Sequence, residues 1–156
     1  MWLRLSPTTY CNSLLGFYFP HERLSFELDK LPMSQKSDFH LGLLYMIHLL
    51  IGVDGSIDER ERAHLTQVKD KESIPDEVFV HFENQIKNKR EKEVYQLGLG
   101  HINQCSDEDK LRAFVHLYKL TEVDGQVHVK EVRLLLYSTK MAGVEFEDVV
   151  AHAKTA

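Results

Sequence analysis

Cysteine is nearly missing: Cys11 and Cys105 lie far apart and in no C-x-x-C pair. That excludes a disulfide scaffold and a zinc ribbon, and it fits a reducing, cytoplasmic setting. Positive charge is in deficit, with a formal net charge of −5. A nucleic-acid surface needs a basic stripe, so no nucleic-acid partner is expected. The one basic cluster, Lys87, Lys89, Arg90 and Lys92, is interrupted by Glu91 and Glu93 and reads as a solvated helix junction. No apolar run reaches the roughly 18 to 20 residues of a membrane span. Residues 41–53 come nearest, but His48 and two glycines break the run and point to a buried core helix.

Catalytic signatures are missing as well. There is no G-x-S-x-G, P-loop or H-E-x-x-H, and Gly98-Leu99-Gly100 has no preceding strand for a dinucleotide fingerprint. Nine histidines are present, yet no two of them stand at metal-ligand spacing. His40, His48, His81, His116 and His152 fall on helical segments, where a core-edge histidine is the ordinary case. No nucleophile can be named, and the expectation is a protein that is not an enzyme.

What the chain has is repetition. Val53-Asp54-Gly55-Ser56-Ile57-Asp58-Glu59-Arg60-Glu61 returns as Val123-Asp124-Gly125-Gln126-Val127-His128-Val129-Lys130-Glu131, at a constant offset (124 − 54 = 70). Both copies read V-D-G-x-[I/V]-x-x-x-E after a long apolar run. Repeats of this kind set the architecture. A length of 156 residues with 43% apolar content suits one domain with a real core.

Helical periodicity starts near Ser37. Leu41, Leu44, Ile47 and Val53 recur at three- and four-residue steps, and Leu43, Met46 and Leu49 fill the other side. The first helix should therefore be buried nearly all round. Asp54-Gly55 ends it, and Asp58 with Glu61 can form a capping box for the second. Pro75 opens a third, with Val78, Phe79, Phe82 and Ile86 as its apolar side. A fourth spans about 91–104, its two glycines each weakening it by about 1 kcal/mol. Ser106-Asp107-Glu108-Asp109 is an acidic start for the fifth. Under the repeat, Leu111, Phe114, Leu117 and Val123 match the first helix, and a sixth over about 128–140 matches the second. Asp76 to His81 echoes Glu147 to His152 at an offset of 71 (152 − 81 = 71), which calls for one extra residue in the preceding loop. No alternating strand pattern competes. The prediction is all-α: about seven helices in two three-helix pseudo-repeats, with the fourth as connector.

Residues 1–32 differ in texture. Pro7, Pro20 and Pro32 punctuate them, and no period emerges. They are expected to be a peripheral N-terminal segment, an appendage or a mis-assigned start, with the helical domain over 33–156.

The motif admits two chemical readings. In one, glycine stops a helix, the branched residue plugs the turn, and glutamate caps the next helix. In the other, the acids bind a cation. Laid on an EF-hand loop, Asp54, Gly55, Ile57 and Glu61 take positions 5, 6, 8 and 12, but Leu50 and Gly52 fall where ligands are needed. The second copy puts Leu120 and Glu122 at those places. Neither copy alone supplies the 6 to 8 oxygens of calcium. Two copies packed about a pseudo-twofold axis would pool Asp54, Glu61, Asp124 and Glu131, with Asp58 and Glu122 nearby. Such a crevice suits a hard divalent cation (calcium, magnesium or manganese) or a basic partner.

The doubled motif resembles the tellurite-resistance TerB family, whose pattern is A-D-G-x-[I/V]-x-x-x-E in an all-helical domain of two pseudo-repeats. The resemblance covers about residues 38–153, and Val53 and Val123 stand where that family has a small residue. It implies stress resistance to tellurite and other chemicals, metal binding at Asp54, Glu61, Asp124 and Glu131, and a bacterial cytoplasmic setting with peripheral association to a membrane complex. The alternative is a metal-free helical adaptor that holds a protein partner through the same acidic surface.

Overall fold

The computed structural model describes residues 35–51, 59–123 and 129–155, excepting the side chains of Gln35, Arg60, Glu61 and Val123. The expectation for residues 1–32 lies outside these described residues, as do both Asp-Gly turns. Among the described residues the protein is all-helical, with no strand. The seven helices are α1 (Gln35–Ile51), α2 (Glu59–Lys71), α3 (Asp76–Ile86), α4 (Glu91–Asn103), α5 (Asp107–Val123), α6 (Val129–Ala142) and α7 (Phe146–Thr155). None is long and apolar enough to cross a membrane.

The apolar periodicity of α1 has the predicted consequence. Residues 39 to 48 are buried without a break, on every side of the helix. Such a helix needs neighbours all round, and it has them: α2, α3, α4 and α5 all pack on α1. The most extensive of these contacts is with α4. Around it, α5 carries α6 and α7, and α6 also reaches α4. Tyr45 meets Phe82 edge-on at 5.3 Å, and Phe79 lies 6.0 Å from Phe82, tying α3 to α1.

The α1–α4 contact is close because two glycines permit it. A methyl placed on Gly98 would lie 2.9 Å from Tyr45 Cβ, and one on Gly42 would lie 2.7 Å from Ile102 Cγ1. The helix-weakening effect expected of Gly98 is therefore offset by the approach it allows. Gly100, two residues on, has open space where its side chain would be.

Helix ends follow their local chemistry. Pro75 sits just before α3. Glu93 reaches back to accept from the Arg90 N–H at 2.8 Å, which also holds the Glu93 carboxyl below its ordinary value. Ser106 Oγ accepts from the Asp109 N–H at 3.2 Å, capping α5.

The α2–α3 and α6–α7 turns share one geometry. In the first, Ile74 N–H donates to Lys69 O at 2.9 Å and Ser73 N–H to Asp70 O at 3.3 Å. In the second, Val144 N–H donates to Thr139 O at 2.9 Å and Gly143 N–H to Lys140 O at 3.3 Å. Both are Schellman motifs with a left-handed residue at the same place, Ser73 at φ 52° and Gly143 at φ 72°. Every bond is displaced by the same interval (143 − 73 = 70), and so are the helix starts at Asp76 and Phe146. The expected extra residue in the second loop is not there: the backbone keeps 70, and the residue matching Phe79 is Val149, both of them buried.

The two glycines of α4 should respond with opposite signs. Gly98→Ala drives a methyl into a Tyr45 Cβ that is fixed to its own backbone, so α1 and α4 must separate; a loss of about 1–3 kcal/mol is expected. Gly100→Ala meets nothing and should gain about 0.5–1 kcal/mol. Urea unfolding of both variants checks this.

Candidate functional site

Of the four acids singled out by sequence, two belong to the segments that link α1 to α2 and α5 to α6, and two to the helices that follow those segments. Asp54 and Asp124, with Asp58, fall outside the described residues, as does the Glu61 side chain. The geometry around them is given by their flanks. α1 ends at Ile51 and α2 starts at Glu59, while α5 ends at Val123 and α6 starts at Val129. Glu61 and Glu131 thus occupy equivalent places in the first turns of α2 and α6, where a negative side chain is favoured by the helix dipole. Glu131 is half-buried and engaged by the protein itself. Glu122, the neighbouring acid at the end of α5, is exposed and takes a hydrogen bond from the Tyr118 hydroxyl, which raises the Tyr118 pKa.

α1 and α5, which lead into the two turns, pack on each other. They begin at the same end of the fold: the Arg112 guanidinium lies 4.0 Å over the Phe39 ring, a cation–π contact between their N-terminal halves. Carboxylates are hard oxygen donors, so the donor set at the turns fits calcium, magnesium or manganese rather than a soft metal. Among the described residues alone, no group of three or more His, Cys, Asp or Glu is placed to hold a metal.

The structure does assemble two polar clusters that the sequence reading left as separate histidines. At the end of α2, Glu72 Oε1 lies 2.7 Å from His116 Nε2, and Arg112 approaches its other oxygen at 3.7 Å. His40, buried on α1, is hydrogen-bonded to the Glu72 main chain. One residue thus fastens α2 to both α1 and α5. Burial pushes the His116 pKa down and outweighs the attraction of the Glu72 carboxylate, which acts the other way. Burial lowers His40 as well, with Lys36 adding to it.

In the second cluster, Asp38 Oδ1 lies 2.8 Å from His101 Nδ1, and the His101 ring stacks on Tyr45 at 5.8 Å. Cys105, one turn on, donates to the His101 carbonyl at 3.4 Å. Burial first, then Asp109 and Asp38, pushes the Cys105 thiol up to about 11, so it stays protonated and unreactive at neutral pH. Both clusters bridge helices. No local pattern could have disclosed them, because each pair joins helices distant in sequence. Comparison with known proteins finds no match to a family model, a curated protein or a solved structure.

The histidines set a pH dependence with a definite sign. Folded-state values below the ordinary 6.5 mean that the unfolded chain takes up protons first as pH falls. Stability should be level above neutral pH and decline as pH drops below about 6.5. His116→Gln removes one of these groups while keeping a donor for Glu72, so its stability should decline less steeply. Urea midpoints of both proteins at neutral and mildly acidic pH test this; parallel declines would clear His116 of the effect.

Proposed function

We propose that this chain is a duplicated, TerB-like stress-response module whose two acidic turns act together on one hard divalent cation, calcium, magnesium or manganese. The observation that carries the reading is the recurrence of one Schellman turn, bond for bond, at the offset that separates the two Asp-Gly motifs. The reading takes the chain as two three-helix halves, α1–α3 and α5–α7, with α4 as connector. Corresponding residues are buried alike in each half: Leu44 with Phe114, Ile47 with Leu117, and Leu65 with Leu135. The first helix of each half packs on both helices that follow it, and the two first helices pack on each other.

In this reading Asp54 and Asp124 supply carboxylates from the turns, and Glu61 and Glu131 supply them from the following helices. Pooled, they offer the oxygen-rich surroundings that a single copy lacks. A cation held there would join the halves and stabilise the fold in proportion to its concentration. Stress resistance of the tellurite type is the setting that the sequence resemblance suggests.

A second reading has its own observation. Glu131 interacts within the protein and Glu122 with the Tyr118 hydroxyl, so both acids have partners without an ion. In that reading the motif acids only shape the turns, and the module is a metal-free adaptor holding a protein partner through its acidic surface.

Thermal melting separates the two. With a divalent ion at a hundredfold excess over its dissociation constant, the wild type should gain about 2.7 kcal/mol. Asp54→Asn with Asp124→Asn should gain nothing, and without added ion it should be at least as stable as the wild type, because repulsion is relieved. A wild type indifferent to millimolar calcium, magnesium and manganese would leave the adaptor reading standing.

A further inference from the structure

α2 is the most thinly anchored of the helices around α1. Of its described side chains Leu65 alone is buried, and among the four helices that pack on α1 its contact is the smallest. A helix polar on nearly every side gains little from packing. Its ion pairs to α3, Arg62 with Glu83 and Lys69 with Asp76, lie at the surface and hold it weakly.

The firmest attachment is at its C-terminal end, where Glu72 meets two histidines. Glu72 Oε1 lies 2.7 Å from Nε2 of His116 on α5. The Glu72 main chain is bonded to the ring of His40 on α1, itself buried. The next residue, Ser73, is left-handed at φ 52°, so strain is stored where α2 passes into α3.

The charges around these rings oppose two more positive ones. Facing His40 are Lys36 on its own helix, Glu72 from the end of α2 and Arg112 on α5. Facing His116 are Glu72 and Lys71 from the α2 side and Arg112 on its own helix. Glu72 is the carboxylate that acts on both, and it also shares Arg112 with Asp109. Protonating both rings in place would add two charges beside three cations, away from water.

We propose that Glu72 is an acid-sensitive latch: with His40 and His116 neutral it keeps α2 on the bundle, and acidification releases α2 about Ser73 while the other helices stay packed. Release opens both rings to water and lets them take up protons, so it is favoured as pH falls below about 6.5. It also relaxes Ser73. α1 keeps its larger contacts with α3, α4 and α5, which confines the change to α2. The latch does not rest on the cation reading, because none of its titrating groups lies in the Asp-Gly motifs.

Amide hydrogen exchange of the full chain, resolved by NMR at neutral pH and at about pH 5.5 and expressed as protection factors, reads the release directly. Protection in α2 should fall at the acidic value, by up to about tenfold for each histidine that titrates, while α1, α4 and α5 keep theirs. His40→Gln with His116→Gln keeps donors for Glu72 but removes the titration, so its α2 protection should be alike at both values. His116→Gln alone, at the less buried of the two sites, should lose part of the response. Circular dichroism verifies that each variant is folded. Protection of α2 that is unchanged by acid overturns the proposal. So does a loss shared by all helices together, or a response that persists in full in folded His116→Gln.

Discussion

The structure depends on how closely α1 can approach α4. α1 is buried from Phe39 to His48, so it has no solvent side and must be wrapped by other helices. Its widest contact is with α4, at a separation that tolerates no side chain at Gly98. That approach sets Tyr45 against Phe82 on one side and His101 on the other. It also brings Asp38 to His101. Were α4 held further out, the Tyr45–His101 and Asp38–His101 contacts would open together, because interiors are packed without slack. Removing single packed atoms is costly for the same reason.

Around this helix pair the chain solves one local problem twice. Both the α2–α3 and α6–α7 turns need a left-handed residue to complete a Schellman motif. The second supplies glycine and the first supplies Ser73, although a residue with a Cβ loses about 1–2 kcal/mol in that conformation. The first turn has compensation: Ile74 is buried behind it, and Glu72 just before it is tied to His40, Arg112 and His116. Local strain is held in place by contacts to two other helices, as strain in folded proteins generally is.

Much of the fold was legible in the sequence. The three- and four-residue steps of Leu41, Leu44 and Ile47 mark a helix with no competing period, and Ser106 marks where α5 starts. What escaped was anything settled by distance between helices. Gly98 and Gly100 look alike in sequence as helix weakeners, yet only Gly98 stands in a close contact. The offset of 71 came from matching letters, and the backbone bonds show that the turn keeps 70. On α6, Leu134, Leu135, Leu136 and Tyr137 are consecutive, so their period cannot say which faces inward; the structure buries Leu135 and exposes Tyr137. Glu72 gave no local sign of joining His40 and His116, because long-range ion pairs leave no periodic trace. Of the candidate site, the sequence names the acids and their equivalence, and the structure adds the equivalence of the turns that follow them.

The central claim is that the two Asp-Gly turns work as one site. Manganese titration followed by amide NMR line broadening tests it directly, since a paramagnetic ion broadens only nearby signals. The account predicts that the amides around Asp54 and around Asp124 broaden together, at the same low ratio of metal to protein, and that Asp54→Asn protects both sets. Broadening confined to one turn, or spread evenly over the acidic surface, would contradict it.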